Sequence, residues 1–272
     1  MSILYDPKDR GFSEALSLID RCQIAMLREL AISTEGRLVL KGGMAMRVTV
    51  GSMRLTKDVD FDRADGVSTA SVVGSVKKAL HYAAQSAGMR GAEIDSGKRT
   101  DATVRMRLAG MLAGESARFV VEVSGRNPPT RECQARVQVT PPPRYGIAPF
   151  VTTTYTHGML AASKVMAVMS PNRNVPRDVY DLNDLAASNP EPILLARTSR
   201  EALRTIRDNV LEKVCAIDFV MAQQELLPFI PPDQRDALTH ARWEEMTLSV
   251  AQAVQKWVTN SLQDGSGSLE AK

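Results

Sequence analysis

Residues 37–62 read RLVLKGGMAMRVTVGSMRLTKDVDFD. The run Leu38-Val39-Leu40 is short and apolar, and Gly42-Gly43 breaks it. An apolar-rich segment follows, and the stretch closes on Asp58-Val59-Asp60-Phe61-Asp62. This spacing predicts a strand, a tight glycine turn, a helix, and a second strand that carries carboxylates. Side chains alternate across a strand, so Asp58 and Asp60 face one side while Val59 and Phe61 anchor the other. At about 3.3 Å per residue the two carboxylates stand about 7 Å apart at the backbone. Their oxygens are hard donors of the kind magnesium accepts while keeping room for substrate phosphates. Paired ions about 4 Å apart stabilise both the attacking and the leaving oxygen of an in-line displacement. Asp62 shares this parity and is expected at the strand end, in solvent or helping a turn. Gly42 and Gly43 lack Cβ and let backbone approach an anion, and a helix that begins there offers free N–H groups. Taken singly, a double glycine also reads as a plain turn and a DxD as a solvated strand end. The joint pattern is more specific.

That pattern, KGGMAMR followed by GSMRLTKDVDFD, resembles nucleotidyltransferases of the polymerase-β type, and more closely the AbiE-type toxins of type IV toxin–antitoxin pairs. Members read GG-x-A-x-R, then a small hydroxyl residue two before DxDF. Here that residue is Thr56, where serine is more frequent. The resemblance implies an α+β fold, a mixed sheet with flanking helices forming a polymerase-β-like nucleotidyltransferase domain, followed by a helical C-terminal domain. We expect boundaries at 1–155 for the first, 156–263 for the second, and a disordered tail at 264–272.

The 272 residues are 24% charged and 44% hydrophobic, an ordinary composition for a soluble globular chain. No apolar window reaches the roughly 18 residues that a membrane span needs, and MSILYDPKDRG lacks the features of a signal peptide. A cytoplasmic protein with no membrane partner is expected. Cys22, Cys133 and Cys215 are far apart, and three histidines complete the set, so no zinc site is expected. A net charge of +3 permits a nucleic-acid partner without demanding one.

Helical spacing covers residues 12–32 and, from a candidate N-cap at Ser68, residues 68–87. Strands are expected at 102–108 and 118–123, joined by a loop at 110–116, and again at 134–140, where Pro141-Pro142-Pro143 stops the ladder. Residues 150–155 form a last strand or a lead-in to the next helix. Glu122 sits in the apolar run RFVVEV, where an ionised carboxylate is costly unless paired or on a metal. By resemblance it is the third carboxylate of the site, a metal ligand or the group that activates the attacking hydroxyl. The plainer alternative pairs it with Arg105, Arg107 or Arg118.

Residues 157–169, HGMLAASKVMAVM, form a helix with Lys164 among apolar neighbours. A buried ammonium needs an anionic partner, and a triphosphate is one. A second helix opens at Pro176, with Asp178 near its positive end and Asp181 on the same face. The run Lys164…Arg177-Asp178-Val179-Tyr180-Asp181-Leu182 again resembles the AbiE type. It implies that Lys164 holds nucleotide phosphate and that Asp178 or Asp181 positions the lysine or the acceptor. The alternatives are a snorkelling lysine and an aspartate that only caps its helix. Further helices are expected at 199–217, 218–226 and 240–262, with no chemical motif.

The resemblance therefore implies a metal-dependent transferase. Asp58, Asp60 and Glu122 hold Mg²⁺ or Mn²⁺, and Gly42 and Gly43 bind an NTP triphosphate. Arg47 and Lys57 are further phosphate candidates. The acceptor is RNA, with the tRNA 3′ end foremost, and a separately encoded antitoxin neutralises the toxin. Two rival readings are an idle member that only binds RNA or antitoxin, and transfer of phosphate or NMP to a protein hydroxyl.

Overall fold

Leu38, Val39 and Leu40, all buried, form β2 (Leu38–Lys41), which turns at once into α2 (Gly42–Thr49). The computed structural model describes residues 2–100, 102–126, 128–188, 190, 195 and 198–264. Ahead of β2 lie β1 (Ser2–Ile3) and α1 (Glu14–Thr34). After α2 come β3 (Asp58–Arg63), α3 (Thr69–Ser86), β4 (Arg90–Arg99), β5 (Thr103–Leu112), β6 (Glu115–Ser124), β7 (Gln134–Thr140) and β8 (Phe150–Tyr155). The helices α4 (His157–Val168), α5 (Pro176–Ala187), α6 (Arg200–Cys215), α7 (Phe219–Glu225), α8 (Pro232–Arg235) and α9 (His240–Asp264) follow. Of the tail expected at 264–272, Asp264 still belongs to α9 and residues 265–272 lie outside the described residues.

The backbone divides into two compact units, one of residues 1–155 with 231–233, the other of 156–230 with 234–272. The first holds a mixed sheet in the order β1-β7-β8-β2-β3-β6-β5-β4. β3 runs antiparallel to β2 and parallel to β6, so it lies near the middle of the sheet. One face carries Leu40, Phe61, Val59, Val121, Val123, Met106 and Leu108, all buried, and α1 and α3 cover it. Ser13 caps α1 and Ser68 caps α3, each accepting from a backbone N–H three residues on.

Two strand expectations change. The loop expected at 110–116 shrinks to Ala113-Gly114, whose φ values of 51° and 83° give the left-handed two-residue turn that suits a hairpin. β5 and β6 are therefore ten residues each. β4 is an addition to the expected strands, because RGAEIDSGKR shows no apolar alternation. It is an edge strand, largely exposed along residues 90–97, and its pairing to β5 supplies the order.

The second unit is helical. α5 packs on α4, α7 and α9, and α6 packs on α9. Trp243 is buried and donates its indole N–H to the Ile217 carbonyl at 2.8 Å, joining the start of α9 to the end of α6.

Candidate active site

Register decides which side chains share the carboxylate face of the sheet. Asp60 stands opposite Glu122 on β6 and opposite Lys41 on β2. Glu122 stands opposite Arg105 on β5. One row thus reads Lys41, Asp60, Glu122, Arg105, with Asp58 one step along β3 beside Val120. Asp58, Asp60 and Glu122 are all half-buried. Among the described residues, neither the Asp58 nor the Glu122 carboxylate has a hydrogen-bond or ion-pair partner. Glu122 therefore does not take the arginine pairing held open by its sequence.

The double glycine belongs to this place. Gly42 has φ +68°, and a Cβ there would lie 2.5 Å from Asp60 Oδ2. A Cβ on Gly43 would lie 2.9 Å from both Arg54 Nη2 and Thr56 Oγ1. Only glycine lets the first turn of α2 come this close to the carboxylate strand. No side chain caps that turn. Thr56 accepts from the Asp58 N–H and donates to the Asp58 carbonyl, which shapes the entry to β3. Gln23 of α1 donates to the Thr56 carbonyl at 2.9 Å. Arg54 is buried at this point. It was not among the sequence candidates, although its place four residues before Asp58 in GSMRLTKD was a usable signal.

Two residues depart from expectation. Asp62 is neither solvated nor part of a turn: it is buried, accepts from the Lys41 ammonium at 2.7 Å and from the Tyr155 hydroxyl at 2.7 Å. Burial and the Asp62 carboxylate together push the Tyr155 hydroxyl well up, so it stays a donor. Arg47 is not placed as a phosphate ligand. It is 1% exposed, donates to Asp20 at 2.8 Å and to the Tyr5 carbonyl, and its guanidinium lies 4.2 Å from the Tyr5 ring centroid. Asp20 also accepts from Tyr145 at 2.6 Å. The helical period that follows GG turns Arg47 inward, where these partners hold it. Lys57 is exposed at the entry to β3.

In the second unit, Lys164 of α4 is mostly buried between two carboxylates of α5. Its ammonium lies 2.7 Å from Asp178 Oδ1 and 2.6 Å from Asp181 Oδ2. Asp178 also accepts from Arg173 at 2.7 Å. Burial alone would raise the Asp178 carboxyl, but Lys164 and Arg173 outweigh it and hold it below the usual range. The anionic partners that the buried lysine requires are therefore these two aspartates, and the snorkelling alternative does not hold.

The profile of the nucleotidyl transferase AbiEii toxin family, of type IV toxin–antitoxin systems, matches residues 25–262. The chain belongs to this family. It is thus a nucleotidyltransferase toxin by family, and the family implies an NTP substrate and an antitoxin partner. Two solved structures resemble this AbiEii chain over both units. The crystal structure of JHP933 from Helicobacter pylori has a TM-score of 0.63 at 19% identity, covering 96% of this chain and 99% of that one. A second H. pylori structure, described provisionally as a nucleotidyltransferase, has a TM-score of 0.63 at 20% identity and covers 93% and 98%. These likenesses establish the fold. No curated protein matches. No helix among the described residues is long and apolar enough to cross a membrane.

AbiEii nucleotidyltransferases generally use a divalent metal. Among the described residues, no three His, Cys, Asp or Glu side chains are gathered closely enough to hold an ion by themselves. A closed three-carboxylate cage is therefore not what Asp58, Asp60 and Glu122 form. Their chemistry still fits the ion, because all three are oxygen donors on one face and Asp60 and Glu122 stand in register. A site of one or two carboxylates completed by substrate phosphate is the usual magnesium arrangement.

Proposed function

We propose that this AbiEii chain transfers a nucleoside monophosphate from an NTP to a hydroxyl of an RNA acceptor, the tRNA 3′ end being the first to test. The modification would arrest growth until the antitoxin neutralises it. The observation that carries this reading is the row in which Asp60 and Glu122 stand in register, with Asp58 one step along and α2 starting against Asp60.

Asp58 and Asp60 would hold Mg²⁺ or Mn²⁺, with Glu122 as third donor or as base. When bound, such a cation supplies charge neutralisation to the triphosphate and polarises the reacting oxygens. The uncapped first turn of α2, at Gly42 and Gly43, offers backbone N–H groups to phosphate oxygens. Lys57 adds positive charge beside Asp58. The acceptor oxygen bonds to the α-phosphorus, the bond to the β-phosphate oxygen breaks, pyrophosphate leaves, and Glu122 takes the hydroxyl proton. The resemblance also gives Lys164 a phosphate role. On that reading Asp178 and Asp181 position the ammonium, which both of them already engage.

The test is incubation of the purified chain with Mg²⁺ or Mn²⁺, total tRNA and each α-³²P-labelled NTP in turn. Label on RNA with release of unlabelled pyrophosphate is expected. Label on the protein, or on neither, would overturn the acceptor assignment.

A further inference from the structure

We propose that Arg105, Arg107 and Arg118 form a lane that binds the phosphate backbone of the acceptor nucleic acid beside the carboxylates. This inference rests on the nucleotidyl-transfer reading and names how the acceptor is held.

The lane follows from register. Arg105 opposes Glu122, Arg107 opposes Val120, and Arg118 opposes Ala109. All three arginines therefore stand on the carboxylate face of the β5–β6 hairpin, one strand spacing, about 4.8 Å, from the Asp60 strand or the next one out. All three are exposed. Among the described residues none makes a hydrogen bond or an ion pair through its side chain. This is unusual in context, because Arg105 faces Glu122 and Arg107 faces Asp95 across the ladder, and opposite charges so placed ordinarily pair. Elsewhere in the chain Arg47, Arg144, Arg173 and Arg242 are all engaged by carboxylates.

Charge is arranged in rails. On the outer side, the edge strand β4 places Glu93 and Asp95 on the same face, opposite Ala109 and Arg107. On the inner side stand Asp58, Asp60 and Glu122. A polyanion is attracted to the arginine lane and repelled from both flanks, so its path is confined along the hairpin with its end beside the carboxylates. Guanidinium groups match phosphate oxygens in a fork geometry. A protein acceptor offers no repeating phosphates to such a lane, whereas a nucleic acid offers one per nucleotide. No aromatic side chain stands on that face of β5 or β6, so what the lane offers a nucleic acid is charge for its phosphates, which carries no sequence information.

The test measures binding of a short fluorescein-labelled RNA oligonucleotide to the full chain, without metal or NTP, across a range of NaCl. Variants are R105Q, R107Q and R118Q, singly and combined, with R242Q on α9 as a control. Each lane substitution should reduce the slope of log Kd against log salt by about 0.7, and the triple variant by about 2. R242Q should leave it unchanged, and melting temperatures should match the wild type. In the transfer assay KM for RNA should rise while KM for NTP holds. A triple variant, or the set of single variants, that binds RNA with wild-type affinity and slope overturns the proposal. So does a variant with intact RNA binding that escapes neutralisation by the antitoxin, which would assign the strip to that protein. Reduced slopes combined with label found only on protein would leave the lane standing and retire the RNA-acceptor reading instead.

Discussion

Asp60 and Asp62 are two residues apart on one strand face and have different employment. Asp62 is locked by Lys41 and Tyr155, while Asp60 sits half-buried against Gly42 and in register with Glu122. The difference arises from β2, whose antiparallel register brings Lys41 diagonally onto Asp62. Alternation along DVDFD reveals the shared face, but nothing local in the sequence reveals the neighbour. Arg47 shows the same limit, since its partners Asp20, Tyr5 and Tyr145 are remote in sequence. Breaking a buried pair leaves an uncompensated charge, so Arg47→Ala should destabilise the chain by about 3–5 kcal/mol in chemical denaturation. A phosphate ligand would lose NTP affinity with no such loss of stability. Glu122→Gln should do the reverse, lowering kcat by about 100-fold or more at unchanged melting temperature.

At the scale of elements, α2 sets how closely backbone approaches Asp60 in the first unit, and α5 holds Lys164 in the second. Gly42→Ala introduces a Cβ against Asp60 at φ +68°. It should cost about 1–2 kcal/mol for the left-handed backbone and depress transfer as well, because relief of the contact must displace the carboxylate. Parallel denaturation curves and labelling rates check both parts. In α5 the Asp178 carboxyl is held low by Lys164 and Arg173 against its burial. A depressed folded-state pKa contributes stability that is fully present above the unfolded value near 3.9 and is lost as pH falls through the lower folded one. Asp178→Asn should therefore be less stable than wild type at neutral pH, and the gap should close in strongly acidic solution, as read by urea midpoints across pH. Elements with strong apolar period, α1, α3, β3 and β6, were legible in the sequence with ends within a few residues. β4 was not, because an exposed edge strand has no buried face to impose alternation. The β5–β6 turn is tighter than its sequence suggests, because Ala113 hides its left-handed conformation from composition.

For the whole molecule, the two motif clusters fall in different compact units, KGG…DVDFD with Glu122 in the first and Lys164…Asp181 in the second. The family match spans both. The motifs made the family readable because carboxylates, glycines and a lysine in that order have chemical reasons for their spacing. The helical C-terminal third carries packing periodicity, and periodicity reports a buried face while leaving the exposed, partner-facing one unmarked. Asp60 and its row-mates are proposed here to perform metal-assisted nucleotidyl transfer to RNA. The most direct test compares wild type with Asp60→Asn for transfer of α-³²P-labelled NMP to total tRNA, alongside growth arrest in cells. We predict labelled RNA and arrest for the wild type, and loss of both in the variant at unchanged melting temperature. Equal labelling by the two proteins would contradict the account.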